Sequence, residues 1–163
     1  MIYSIKIPQL AGLQQAFEHI PDVVAGESAR AINQSLVALQ RTAKDLAPVD
    51  SGRLRSSLQI TPARRLEPHL IAGSLGTAVK YAPFMEQGTG IYGPSGQPIT
   101  AKNGKFLRFQ IGSKVIFAKS VRGSKGRFFM RGALEQNNLA IQNYFQSALN
   151  NVTAALARGG RTL

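Results

Sequence analysis

From about Asp22 to Ala47 the apolar residues Ala25, Ala29, Ile32, Leu36, Leu39, Ala43 and Leu46 follow steps of four and three. That spacing predicts one stripe along a helix of about seven turns. Arg30, Gln34, Arg41 and Lys44 fall on the other side. A heptad-like stripe also fits a coiled coil, but alanine at three of the seven positions favours close packing on a sheet or neighbouring helix. Upstream, Tyr3, Ile5 and Ile7 alternate with Ser4 and Lys6, the period of a short strand. Leu10, Leu13, Phe17 and Ile20 then return to helical spacing before Pro21.

The pattern changes after Ala47. Pro48 disfavours the helical region for the residue before it and ends the helix. Asp50 and Ser51 are placed to accept hydrogen bonds from the amides of a new turn, and Gly52 frees the backbone. Leu58 and Ile60 alternate with Gln59 and Thr61, and Leu70, Ala72 and Ser74 lie opposite Ile71, Gly73 and Leu75. Two strands joined around Pro62 to Pro68 are expected. Ala82–Gln87 fits a single helical turn, with Pro83 in the first turn where no amide hydrogen is needed. Gly88–Lys105, with five glycines and two prolines, reads as a long flexible loop. Leu107, Phe109 and Ile111 then alternate with Arg108 and Gln110. Gly112-Ser113 suits a two-residue turn with glycine first, and Lys114–Val121 the return strand. Gly123–Gly126 reads as a second mobile loop. Phe128–Ala157 forms the second long helix, with a main stripe of Leu134, Ile141, Phe145, Ala148, Val152 and Ala155. Tyr144, Leu149 and Leu156 widen it, enough to bury a second neighbour, either another subunit or a groove of its own domain. Residues 159–163 are expected to fray. The sum is an α+β fold, two long helices packed on a mainly antiparallel β-sheet with one long loop, as a single domain over residues 1–163.

Composition sharpens this picture at two points. The chain has no cysteine, which removes disulfides and thiolate metal sites. It also carries twenty Lys and Arg against eight Asp and Glu, a net charge of +12. Residues 101–131 hold nine of the basic residues (Lys102, Lys105, Arg108, Lys114, Lys119, Arg122, Lys125, Arg127, Arg131) and no acid. Such a field attracts nucleic acid or an acidic protein surface, or is a solvated strand face with its loops. Phe106, Phe109, Phe117, Phe128 and Phe129 interleave with it. Aromatic side chains beside basic ones stack nucleic-acid bases when exposed. The simpler expectation is that Phe109 and Phe117 face inward in a hairpin. The amino terminus is too short and polar for a signal peptide, and no run approaches the roughly 20 apolar residues of a membrane span. A soluble chain made in the cytoplasm, with no membrane contact, is expected.

Candidate chemistry is sparse. His19 and His69 sit in no metal-binding spacing. Asp50, Ser51 and His69 have no spacing that marks a hydrolytic triad. Gly104-Lys105 is followed by Phe106, so a phosphate-binding loop lacks its Ser or Thr. No enzymatic activity, cofactor or metal is expected.

Three ordered blocks carry a resemblance. Ala47-Pro48-Val49-Asp50-Ser51-Gly52-Arg53-Leu54-Arg55-Ser56-Ser57-Leu58 resembles the "APVDTGRLRxSI" signature of a bacteriophage tail-component family. Its members are minor tail or tail-completion proteins of long-tailed phages, including those similar to the lambda minor tail protein Z. Gly76–Thr89 resembles that family's "VGTxxxYAPYVEFGT" block, and Arg127–Glu135 its "PFMRPALE" block. Arg127 and Gly132 replace family prolines, which implies a looser lead-in to the last helix. The resemblance implies a structural virion protein at the head–tail junction, or neck, acting in tail assembly and head–tail joining. It implies a homo-oligomer, a six-fold ring in the particle, in contact with a tail terminator, a head-completion protein and the tail tube, and close to DNA. Interface candidates are Arg53, Arg55, Tyr92, Lys102, Lys105, Lys119, Arg122 and Lys125. Arg53 or Arg55 alternatively pairs with Glu86 inside the fold. The competing reading is a small basic protein that binds nucleic acid without sequence preference, although the chain has no helix-turn-helix, zinc-finger or RNP signature.

Overall fold

The computed structural model describes residues 10–67 and 70–159. The strand expected at Tyr3–Ile7, His69 and the last four residues of the expected frayed end lie outside them. The structure mixes long helices with short antiparallel strands. Its elements are α1 (Leu10–Leu46), α2 (Arg53–Ser57), β1 (Gln59–Glu67), β2 (Leu70–Gly76), α3 (Ala82–Gln87), a 3-10 turn (Gly90–Tyr92), β3 (Ile99–Thr100), β4 (Leu107–Ile111), β5 (Lys114–Ala118), β6 (Ser120–Val121) and α4 (Phe129–Gly159). The strands form three two-stranded sheets, β1-β2, β3-β6 and β4-β5, where one larger sheet was expected.

The chain groups into two compact units. One comprises Met1–Leu39, Ile60–Leu75 and Asn137–Leu163, and the other Gln40–Gln59 and Gly76–Gln136. In the first, β1 and β2 lie against α1. The Ala63 amide donates to Asn33 Oδ1 at 2.8 Å. Gly73 packs so closely that an added Cβ would stand 2.8 Å from Leu36 Cδ1. Asn151 on α4 donates to Glu27 on α1 at 2.7 Å. Arg65 reaches Asp22 at 3.1 Å. β1 runs through Pro62, so the joint between the strands is shorter than expected. Each strand of a two-stranded sheet has a free edge, where a proline costs no ladder bond.

Helix α1 also runs through Pro21, which was expected to divide it. Its stripe holds at Leu36 and Ala43, which are buried, but Leu46 is 37% exposed while its neighbour Ala47 is buried. A seven-residue repeat drifts about 20° per heptad on a straight 3.6-residue helix. Over three heptads that rotates Leu46 off the face. The buried Ser35 hydroxyl is satisfied by donating to Ala31 O at 2.8 Å.

Helix α4 departs further from expectation. Phe129, Ala133 and Ala148 are buried, with Ala140, Ile141, Tyr144, Val152 and Ala155 half-buried. Leu134, Phe145, Leu149 and Leu156 are exposed. Alanines alternate with larger side chains on the inward face, and several large apolar residues are left outside. Gly159, where fraying was expected to begin, is helical.

In the second unit, the expected flexible segment 88–105 holds regular structure. β3 pairs with β6 (Ile99 with Val121, Thr100 with Ser120), so the expected return strand ends at Ala118 and its last residues pair elsewhere. Gly88 bridges Lys125. Thr89 N donates to Ser124 O and Ile91 N to Arg122 O, both at 2.8 Å. The two segments expected to be mobile therefore bind each other. Their glycines serve close approach: a Cβ on Gly90 would collide with the Arg122 carbonyl, and one on Gly123 with that of Thr89. Only glycine permits backbones so near, and both residues also have positive φ, 63° and 88°. The β4–β5 turn is as expected. Gly112 has φ 58° and Ser113 a negative φ, the pattern of a type II′ turn.

Candidate interaction surface

The three sequence blocks lie together in the second unit. In the first block, α1 ends at Leu46, and Arg55 Nε donates to the otherwise free Lys44 carbonyl at 2.7 Å. Gly52 is the N-cap of α2 with φ 75°, and no side chain caps it, contrary to the expectation for Asp50 and Ser51. A left-handed glycine sets the chain direction there without a side-chain acceptor. Leu54 and Leu58 are buried. The Ser57 and Thr77 hydroxyls bond at 2.6 Å, and Thr77 Oγ1 accepts from Val79 N at 3.1 Å. These bonds tie the first block to the second.

The second block is built on α3, which spans Ala82–Gln87 as expected. Glu86 does not pair with Arg53 or Arg55. Its two carboxylate oxygens accept the amides of Met130 at 2.9 Å and Arg131 at 3.0 Å, in the first turn of α4. A carboxylate there satisfies free amides and complements the helix dipole. Arg127 N donates to Met85 O at 2.8 Å and Phe128 N to Glu86 O at 3.1 Å. The lead-in to α4 is therefore held tightly, where the loss of two prolines implied a looser one. A proline at 127 would have removed the bond to Met85. Phe128 is held at φ 49°.

Two concave sites adjoin this brace. A groove of about 370 Å³ is lined by Pro48 to Leu54 with Tyr81 and Met85, joining the first and second blocks. A second of about 470 Å³ is lined by Thr77 to Lys80, by Ala82, Pro83, Glu86 and Gln87 of α3, and by Phe129 and Met130, joining the second and third. Val49 and Tyr81, which line the first groove, are exposed, as are Phe84 and Phe128, with Arg131 6.0 Å from the Phe128 ring.

Every interface candidate is exposed. Arg53 lines the first groove, while Arg55 is committed to Lys44 O. Lys125 stands 5.8 Å over the Tyr92 ring. Lys102 and Lys105 lie between β3 and β4, Lys119 between β5 and β6, and Arg122 directly after β6. Sequence reasoning missed the capping role of Glu86, the left-handed Phe128 and the outward placement of Phe117, which is 64% exposed. Phe117 was expected to face inward with Phe109. The register pairs Phe117 with Arg108 and Phe109 with Ile116, so the two aromatics occupy opposite faces. The Gly112-Ser113 turn fixes that register, and counting outward from it would have separated them.

Among the described residues no group of three or more His, Asp or Glu converges as a metal site. No helix there is long and apolar enough to cross a membrane. No protein-family model, curated protein or solved structure matches the chain.

Proposed function

We propose that this chain is a structural virion protein of a tailed bacteriophage, a tail-completion or minor tail component at the neck that acts in tail assembly and head–tail joining. The observation that carries this reading is the use of the three family-like blocks. They build one brace, in which Glu86 of the second block holds the helix start of the third and the first block walls a shared groove. Residues that recur together in a family without a catalytic group have a physical reason to do so when they shape one surface. Copies of the chain assemble into a six-fold ring in the particle, against a tail terminator, a head-completion protein and the tail tube. The protein is no enzyme and needs no cofactor. It resides in the virion after synthesis in the host cytoplasm.

The test is electron microscopy of lysates from a null mutant. DNA-filled heads and tails of normal length that fail to join, or that inject poorly, are the expected result. Normal infectious particles would reject a structural role, and empty heads would place the step in packaging.

A further inference from the structure

We propose that the outward face of the β4–β5 ribbon is a docking surface for single-stranded nucleic acid. This inference is independent of the neck reading. It starts from unbalanced charge. All nine basic side chains of residues 101–131 are exposed. Of these, Arg131 alone meets a carboxylate among the described residues, Glu135 at 2.9 Å. Charges left without a carboxylate in the fold are available to an anion, and a second copy at +12 is a poor candidate.

The second observation is aromatic. Phe117 stands directly opposite Arg108 across the ladder, on the same face, and both are exposed. Phe106, just before β4, is 53% exposed, and Lys105 and Lys119 flank the ribbon. A solvated basic face has no use for exposed phenylalanine. Unpaired bases stack on aromatic rings whatever their sequence, while lysine and arginine follow the phosphates. A duplex keeps its bases stacked inside, and an acidic protein needs the charge but not the rings. The two kinds of side chain together favour a single strand.

The experiment is fluorescence anisotropy of a labelled oligothymidylate with the full chain, over a range of salt. Wild type should bind, with affinity falling steeply as salt rises. Phe117→Leu keeps an apolar side chain on an exposed position. It should weaken binding about five-fold or more and leave the salt slope unchanged. The triple change Lys105→Ala, Arg108→Ala and Lys119→Ala should reduce the slope by about two, at roughly 0.7 per phosphate contact on a single strand. Phe106→Leu serves in place of Phe117→Leu if circular dichroism shows that variant unfolded. No binding, unchanged affinity in the leucine variant, tighter binding of duplex than of single strand, or equal competition by polyglutamate would each overturn the proposal. The last would point to an acidic protein partner.

Discussion

Phe128 is the only non-glycine with positive φ among the described residues. A left-handed backbone costs an L-residue about 1–2 kcal/mol. Here two backbone bonds to α3 and the adjoining Glu86 cap hold it. Removing the Cβ relieves that strain. Phe128→Gly should therefore be more stable to urea than Phe128→Ala, by about 1 kcal/mol, although glycine is ordinarily the worse residue. An alanine variant as stable as the glycine one would mean the backbone is unstrained. Glu86→Ala strips two amides of their acceptor and should cost about 1–2 kcal/mol in the same assay, with Glu86→Gln recovering part of it. None of this was legible in the sequence. Phe128 looked like the first residue of a helix, and Glu86 like a partner for arginine. Which atoms a carboxylate reaches depends on chain segments 44 and 45 positions apart meeting in space.

At the scale of elements, periodicity located α1, α4, β1, β2 and β4, and proline and glycine marked α2, α3 and the β4–β5 turn, because local chemistry governs those. On α4 the expected stripe holds at Ile141, Ala148, Val152 and Ala155 and fails at Leu134 and Phe145, because the inward face is rotated toward Ala133, Ala140 and Tyr144. Leu134, Phe145, Leu149 and Leu156 fall within about 60° of arc on the exposed side. On the ring reading this stripe meets a neighbouring copy. Leu149→Asp with Leu156→Asp should leave the domain folded and cost about 1–2 kcal/mol, from lost helix propensity and the unfavourable charge near the helix end. The same pair should abolish association seen by analytical ultracentrifugation under conditions where wild type self-associates. A variant that unfolds would show these residues to be packed within the domain. Glycine was misread as well. In 88–105 and 123–126 it was taken as a sign of mobility, whereas Gly90 and Gly123 mark where two backbones touch. A single sequence shows a glycine but not what lies against it.

At the scale of the whole molecule, the crossing of 88–91 with 122–125 has a consequence for how the chain tolerates change. It closes residues 92–121 into a circuit with its own clasp, reinforced by β3 and β6. A circuit so closed varies in length at little cost, about 0.6 kcal/mol per doubling of a flexible loop. Replacing residues 102–119 with a short Gly-Ser stretch should therefore leave the rest folded, with circular dichroism lacking only the ribbon's contribution. Excision of 91–103 cuts the clasp instead, removing the Ile91 bond and β3, and should lower stability markedly in the same measurement. Gly90→Ala and Gly123→Ala should behave like that second excision. The basic ribbon is in this sense a detachable head on a fixed stalk. Its length and charge are free to vary, while hydrogen is the only side chain admitted at Gly90 and Gly123.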